Sequence, residues 1–222
     1  MNDIKLNIVI VLRSGGDYGM LDVFTLSNHL HNYNPGIQIY CLTDFVKTEI
    51  RNVKEVIFLP MFQKYPGWWA KMNLFTPDIE WLRPFLYFDL DTIVLGKIDS
   101  LIPSSENIGK LITLEDFYRP SRCGSAVMWI PRNSAKVTHL WDYWNTHFNK
   151  VISQYRGDQD YIETIGIDLF FQSFTNIITS FKPKRKVLLE QPKDKSIVCL
   201  HGKPRLWEAA RKIQWVHKYV KE

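Results

Sequence analysis

The chain has 222 residues, 45% hydrophobic and 14% aromatic, which supplies ample core for one sizeable domain. No apolar stretch approaches the roughly 18–20 residues of a membrane span, so a bilayer-crossing helix is excluded. The net charge of +5 is uneven: residues 182–222 hold 12 Lys/Arg against 4 Asp/Glu, and the rest hold 16 against 19. Such a basic segment can attract nucleotide phosphates, an anionic membrane or nucleic acid, or can simply be a solvated face.

Met1-Asn2-Asp3-Ile4-Lys5 runs straight into a strand pattern and lacks the apolar stretch and cleavage site of a secretory signal. Short apolar runs follow at Ile8–Leu12, Gln38–Leu42, Val56–Leu59, Phe85–Phe88, Leu111–Leu114, Ala126–Ile130 and Ile197–Leu200. Helical spacing appears over about Tyr18–Asn32, again after Asn133-Ser134 (Val137, Leu140, Trp141, Trp144, Phe148), and from Leu206 to Val220. Strands alternating with helices predict a single α/β domain over residues 1–222, with a mainly parallel central sheet and flanking helices. Cys41, Cys123 and Cys199 are odd in number and far apart, and read as buried thiols of a cytoplasmic protein.

The loop Arg13-Ser14-Gly15-Gly16-Asp17-Tyr18-Gly19 joins the first strand to the first helix. Glycines there let backbone amides approach a phosphate, with Arg13 as a candidate nucleotide contact. The spacing matches neither a Walker loop nor G-x-G-x-x-G, and a plain turn is the alternative. Asp44 follows the second strand; it can accept from a base or ribose, or cap the next turn. The fourth strand ends in Phe88-Asp89-Leu90-Asp91. Alternation sends Asp89 and Asp91 the same way, and two adjacent anions at a strand end call for a cation or several donors. Hard ions such as Mg2+ or Mn2+ bridge carboxylates to phosphates, beyond the carboxyl ends of strands in open α/β sheets. A solvated turn capped by Asp91 is the other possibility.

Three further segments join this one: Trp68-Trp69-Ala70-Lys71 in a helical-looking stretch, then Cys123–Met128 with Gly157-Asp158-Gln159, and His201-Gly202-Lys203-Pro204 after the last strand. In this order they resemble the GT-A glycosyltransferases, above all the family 8, glycogenin-like group with its small bacterial and phage relatives. Asp89-Leu90-Asp91 matches that family's Asp-x-Asp, Cys123–Met128 its small-residue strand, and Gly157-Asp158-Gln159 its Gly-Asp-Gln. His201-Gly202-Lys203-Pro204 matches its late His/Lys/Pro segment in compressed form.

The resemblance implies a GT-A-like (Rossmann-like) domain, with residues 182–222 completing the site. It implies transfer of a sugar from a nucleotide-sugar, UDP-linked, to a hydroxyl of a glycan or lipid-linked saccharide. A Mn2+ or Mg2+ ion would be held by Asp89, Asp91 and His201, with Lys71 or Lys203 on a phosphate oxygen. Asp158 would orient hydroxyls or act as a base; Asp160, Glu115 and Asp116 compete with it, and Asp158 can instead cap a helix beginning at Tyr161. Most tryptophans read as core, with Trp68 or Trp69 as acceptor-site candidates. Two other functions remain open. A nucleotidyltransferase acting on a sugar phosphate shares the strand-end acids but needs a glycine-rich basic signature that is missing. A binding module would use the basic C-terminal helix, with Trp215, Tyr219, Lys212, Lys218 and Lys221 at a membrane interface. Nucleic acid has no aromatic-basic motif to bind.

Overall fold

A computed structural model describes residues 6–45 and 55–220, so the Met1–Lys5 segment and Lys221 lie outside the described residues. The strands are β1 (Asn7–Leu12), β2 (Gln38–Thr43), β3 (Val56–Pro60), β4 (Phe85–Phe88) and β5 (Thr92–Val94), then β6 (Ile112–Glu115), β7 (Cys123–Ile130), β8 (Leu169–Phe170), β9 (Ile178–Ser180) and β10 (Ile197–Cys199). The helices are α1 (Met20–Tyr33), α2 (Ala135–Gln154), α3 (Asp158–Ile162), α4 (Leu206–Ala210) and α5 (Gln214–His217).

Side chains of a central strand alternate between faces, and both faces here are apolar. In β1, Ile8, Ile10 and Leu12 enter one cluster with α1, while Val9 enters the other. In β4, Leu86 and Phe88 join the first, and Phe85 and Tyr87 the second. The second cluster is roofed by α2 through Val137, Leu140, Trp141 and Trp144. Ser134 caps α2, its hydroxyl accepting from Val137 N.

The main sheet has the order β3-β2-β1-β4-β7-β6-β8. Its first four strands are parallel, β7 runs antiparallel to both neighbours, and β8 is parallel to β6, which gives the mainly parallel sheet expected. A smaller sheet, β5-β10-β9, lies beyond it. All three of its strands have three residues, too short to show alternation in the sequence.

Two expectations are corrected. Trp68–Phe75 is a 3-10 segment (Gly67–Phe75) and not an α-helix; its residues from Trp69 onward are all buried, so no solvent face exists to impose a helical stripe. The predicted C-terminal helix is broken into α4 and α5 around Ile213, which is extended. On an unbroken helix Trp215 would point about 200° away from Ile213. The break turns both into the cluster formed with Phe181, Val198, Val216 and Tyr219. Trp215 and Tyr219 are thereby buried, and the indole N–H donates to Leu188 O at 3.0 Å. They are not available as a lipid-facing pair. No helix among the described residues is long and apolar enough to cross a membrane.

Candidate active site

Between β4 and β5 the chain crosses from the large sheet to the small one, and Asp89-Leu90-Asp91 is that crossing. Its backbone is held from both sides. Asp89 N–H donates to Ala126 O (2.8 Å), Thr92 N–H to Asp89 O (3.2 Å) and Leu200 N–H to Asp91 O (3.1 Å). Leu90 packs into the core, and both carboxylates line the same two cavities.

Lys71 is 8% exposed, and a buried ammonium requires anions around it. Its Nζ lies 2.9 Å from Asp89 Oδ1, 3.2 Å from Asp158 Oδ2 and 3.0 Å from Ser125 Oγ. Ser125 Oγ in turn donates to Asp158 Oδ2 (2.8 Å), and the Tyr87 hydroxyl donates to Asp89 Oδ1. Burial alone would lower the lysine's pKa. The charges of Asp158 and Asp89 outweigh it and raise the ammonium above its usual range.

Asp91 has different company. It is 5% exposed, accepts from the Tyr18 hydroxyl (2.8 Å), and has Arg205 Nη1 at 3.7 Å. Burial, and then the charge of Asp89, push its carboxyl up to about 7, against smaller pulls from Tyr18, Lys71 and Arg205. Arg205 bridges outward: Nη1 donates to the Tyr18 hydroxyl (2.8 Å), and Nε and Nη2 donate to Asp17 Oδ2 (3.1 and 2.8 Å). This links the C-terminal segment to the loop after β1.

The other predicted residues divide. Arg13 lines the first cavity and folds back on its own loop, donating to Ser14 O (3.0 Å). Asp158 is buried against Lys71 and Ser125, with Gly157 at the N-cap of α3, so it does not serve as a cap for a helix starting at Tyr161. Its competitors are engaged elsewhere: Asp116 by Arg119 and by Gln159, Asp160 by Arg119 and Arg122, and Glu115 by Ser121 N–H. Asp44 accepts from Ser14 N–H and Ser14 Oγ (2.6 Å each) and pairs with Lys64 (3.1 Å), so its oxygens brace the loop, and it lines neither cavity.

Lys203 is exposed and donates to Glu208 (2.8 Å), outside both cavities; Arg205, two residues on, occupies the cleft wall instead. His201 lines the second cavity, stacked against Phe117 and edge-on to Tyr118, with Nε2 2.6 Å from Ser180 Oγ. Burial and the nearby Lys182 charge lower its pKa, which favours the neutral ring. Among the described residues no three His, Cys, Asp or Glu side chains are gathered to hold a metal ion, so the Asp89–Asp91–His201 triad is not assembled. The three thiols are buried and unpaired with one another.

Sequence reasoning missed Arg205, Tyr18, Tyr87 and Ser125. Tyr87 and Ser125 carried a usable signal: Tyr87 precedes Asp89 by two, and Ser125 follows Gly124 in the small-residue strand β7. Nothing local marks Tyr18 or Arg205, which meet across 187 positions.

The two cavities measure about 420 and about 380 Å³ and share Trp68, Lys71, Asp89, Asp91 and Arg205. One opens toward Arg13 and the loop after β1; the other opens toward Asp116, Ser125, Asp158, Gln159 and His201. Together they form a two-chambered cleft with the acidic pair at its waist.

No protein-family model matches the sequence, and comparison with curated proteins gives no match. Solved structures do match. The galactosyltransferase LgtC, in complex with donor and acceptor sugar analogs, superposes with a TM-score of 0.66 at 12% identity, over 96% of this chain and 94% of that one. The glycosyltransferase GlyE of Streptococcus pneumoniae TIGR4 gives 0.62 at 14% identity, over 98% of this chain and 60% of that one. Mouse xyloside xylosyltransferase 1 in its apo form gives 0.53 at 14%, over 90% and 98%. Likeness at such low identity speaks to architecture, and on that ground the chain has the GT-A fold of these glycosyltransferases.

Proposed function

We propose that the protein is a glycosyltransferase, moving a sugar from a UDP-linked donor to a hydroxyl of a saccharide or lipid-linked saccharide with the help of Mn2+ or Mg2+. The observation that carries this reading is the acidic pair at the waist of a two-chambered cleft, in a fold shared with a galactosyltransferase crystallised with donor and acceptor sugar analogs. Asp89 and Asp91 together fit a hard divalent ion, while His201 is not gathered with them. Asp91 is buried beside a second carboxylate and is short of positive charge. Asp89 and Asp91 would hold the ion, and His201 lies in the wall of the same second chamber. Such an ion, when bound, neutralises the charge that builds on a departing diphosphate.

The protein's own groups divide the remaining work. Arg13, Arg205 and the amides of the glycine-rich loop face the first chamber, where phosphates would lie. Lys71 holds Asp158 in place, so that its carboxylate can orient or accept from a sugar hydroxyl in the second chamber. Residues 182–220 complete the site by supplying His201 and Arg205. A cytoplasmic setting, with buried reduced thiols, belongs to this reading.

Calorimetric titration with UDP, with and without Mn2+, tests it. Wild-type protein binds UDP more tightly with the ion, and Asp91→Ala loses the ion-dependent gain. A wild type that binds no UDP under either condition overturns the proposal.

A further inference from the structure

Trp68 stands apart from the other tryptophans near the site. It is 61% exposed, whereas its neighbour Trp69 is 6% exposed and stacks on Trp144 with ring centroids 5.1 Å apart. The chain reaches Trp68 through Gly67 at φ +55°, a conformation that side chains rarely adopt. The two neighbouring indoles thus take opposite duties: Trp69 anchors the segment in the core, and Trp68 lines both chambers of the cleft.

What keeps the exposed ring in place is Gly157. Its backbone is extended (φ −177°), a conformation open to any residue, so the glycine is not required by torsion. It is required by space. A Cβ at this position would sit 2.8 Å from Trp68 Nε1 and 3.2 Å from Cδ1. The indole edge therefore rests on the peptide immediately before Asp158, the carboxylate that Lys71 and Ser125 hold in the second chamber.

We infer that Trp68 is the platform on which the acceptor sugar stacks, and that Gly157 is the notch that seats it. The ligand is a pyranose ring: its axial C–H face suits the negative face of an indole, while its hydroxyls reach Asp158 and Gln159 at the ring's edge. This rests on the glycosyltransferase reading. It goes beyond it by assigning a sugar subsite to an exposed aromatic and a glycine.

The test pairs two ligands. Saturation-transfer NMR with methyl β-D-glucopyranoside and methyl β-D-galactopyranoside reports the sugar subsite, and UDP titration in Mn2+ reports the donor side. The wild type gives saturation transfer to the ring C–H protons of at least one glycoside. Trp68→Ala and Gly157→Ala both lose that signal, Trp68→Phe keeps part of it, and Gly157→Ala binds UDP as the wild type does. Gly157→Ala melts at the wild-type temperature, because its backbone accepts alanine and the displaced ring is at the surface. Four results overturn the inference: no signal from either glycoside in the wild type, an unchanged signal in Gly157→Ala, an unchanged signal in Trp68→Ala, or parallel loss of UDP affinity in Gly157→Ala. Failure of UDP to bind the wild type would instead overturn the functional proposal, so the two failures are distinguishable.

Discussion

Asp89 and Asp91 are two residues apart and line the same cavities, yet the fold treats their charges in opposite ways. Asp89 has a buried ammonium at 2.9 Å and the Tyr87 hydroxyl, and its side chain retains 28% exposure. Asp91 is nearly sealed, with one phenol at hydrogen-bond distance and a guanidinium at 3.7 Å that is turned toward Asp17. One acid is neutralised from within the protein; the other is left short of positive charge. A charge-poor buried carboxylate facing a cleft is where an outside cation gains most, and a carboxylate already paired with lysine gains less from it. The pair is thus asymmetric, with Lys71 on one side and the ligand's share of the charge on the other.

Removing the internal cation has the largest effect. Lys71→Met leaves Asp89 and Asp158 without their common partner, and stripping one member from a buried ion pair costs about 3–5 kcal/mol. Urea denaturation of the variant against the wild type measures this, and a loss below about 1 kcal/mol would mean that solvent already screens the cluster. Next comes the pH dependence of Asp91. Its folded pKa is raised from 3.8 to about 7, so the native state binds the proton more tightly than the unfolded chain. Stability from this group is full below about pH 4 and is lost as pH rises toward about 7. Without divalent ion, the wild type should weaken across that window relative to Asp91→Asn, whose amide carries no charge at any pH. Mn2+ should restore the wild type above pH 7 and leave Asp91→Asn unmoved. Parallel pH curves for the two proteins would remove the asymmetry.

What the sequence disclosed follows the same division. The seven apolar runs became strands because alternation and β-branched or aromatic content are local properties, and Asp89-Leu90-Asp91 stood out because the strand ends there. The Asp158 carboxylate was identified from its Gly-Asp-Gln context. Partners set by tertiary packing escaped. Arg205 took the wall position expected of Lys203 because a Lys203–Glu208 pair formed within five residues, and Glu208 also accepts from Arg205 N–H at the start of α4. Asp44 is held by Ser14 and Lys64, 30 positions upstream and 20 downstream, partners that no local pattern announces. The C-terminal stripe was legible as apolar but not as broken, since periodicity is blind to which face a bend will bury.

The smallest effect sharpens the comparison from the Asp91 side. Tyr18→Phe deletes the one direct hydrogen bond to the Asp91 carboxylate among the described residues and also the acceptor that Arg205 Nη1 uses. A hydrogen bond to a charged group contributes about 1.5–3 kcal/mol, and one to a neutral acid about half that. The phenol therefore matters more when Asp91 is ionised than when it is protonated. Tyr18→Phe should lose about 1 kcal/mol more at pH 8 than at pH 5, with the Asp91 transition moved upward, because the group that was lowering its pKa is gone. Thermal melting at the two pH values reads the difference. An equal loss at both would mean that Tyr18 acts through packing against Trp207, whose ring lies edge-on at 5.7 Å, and not through the charge of Asp91.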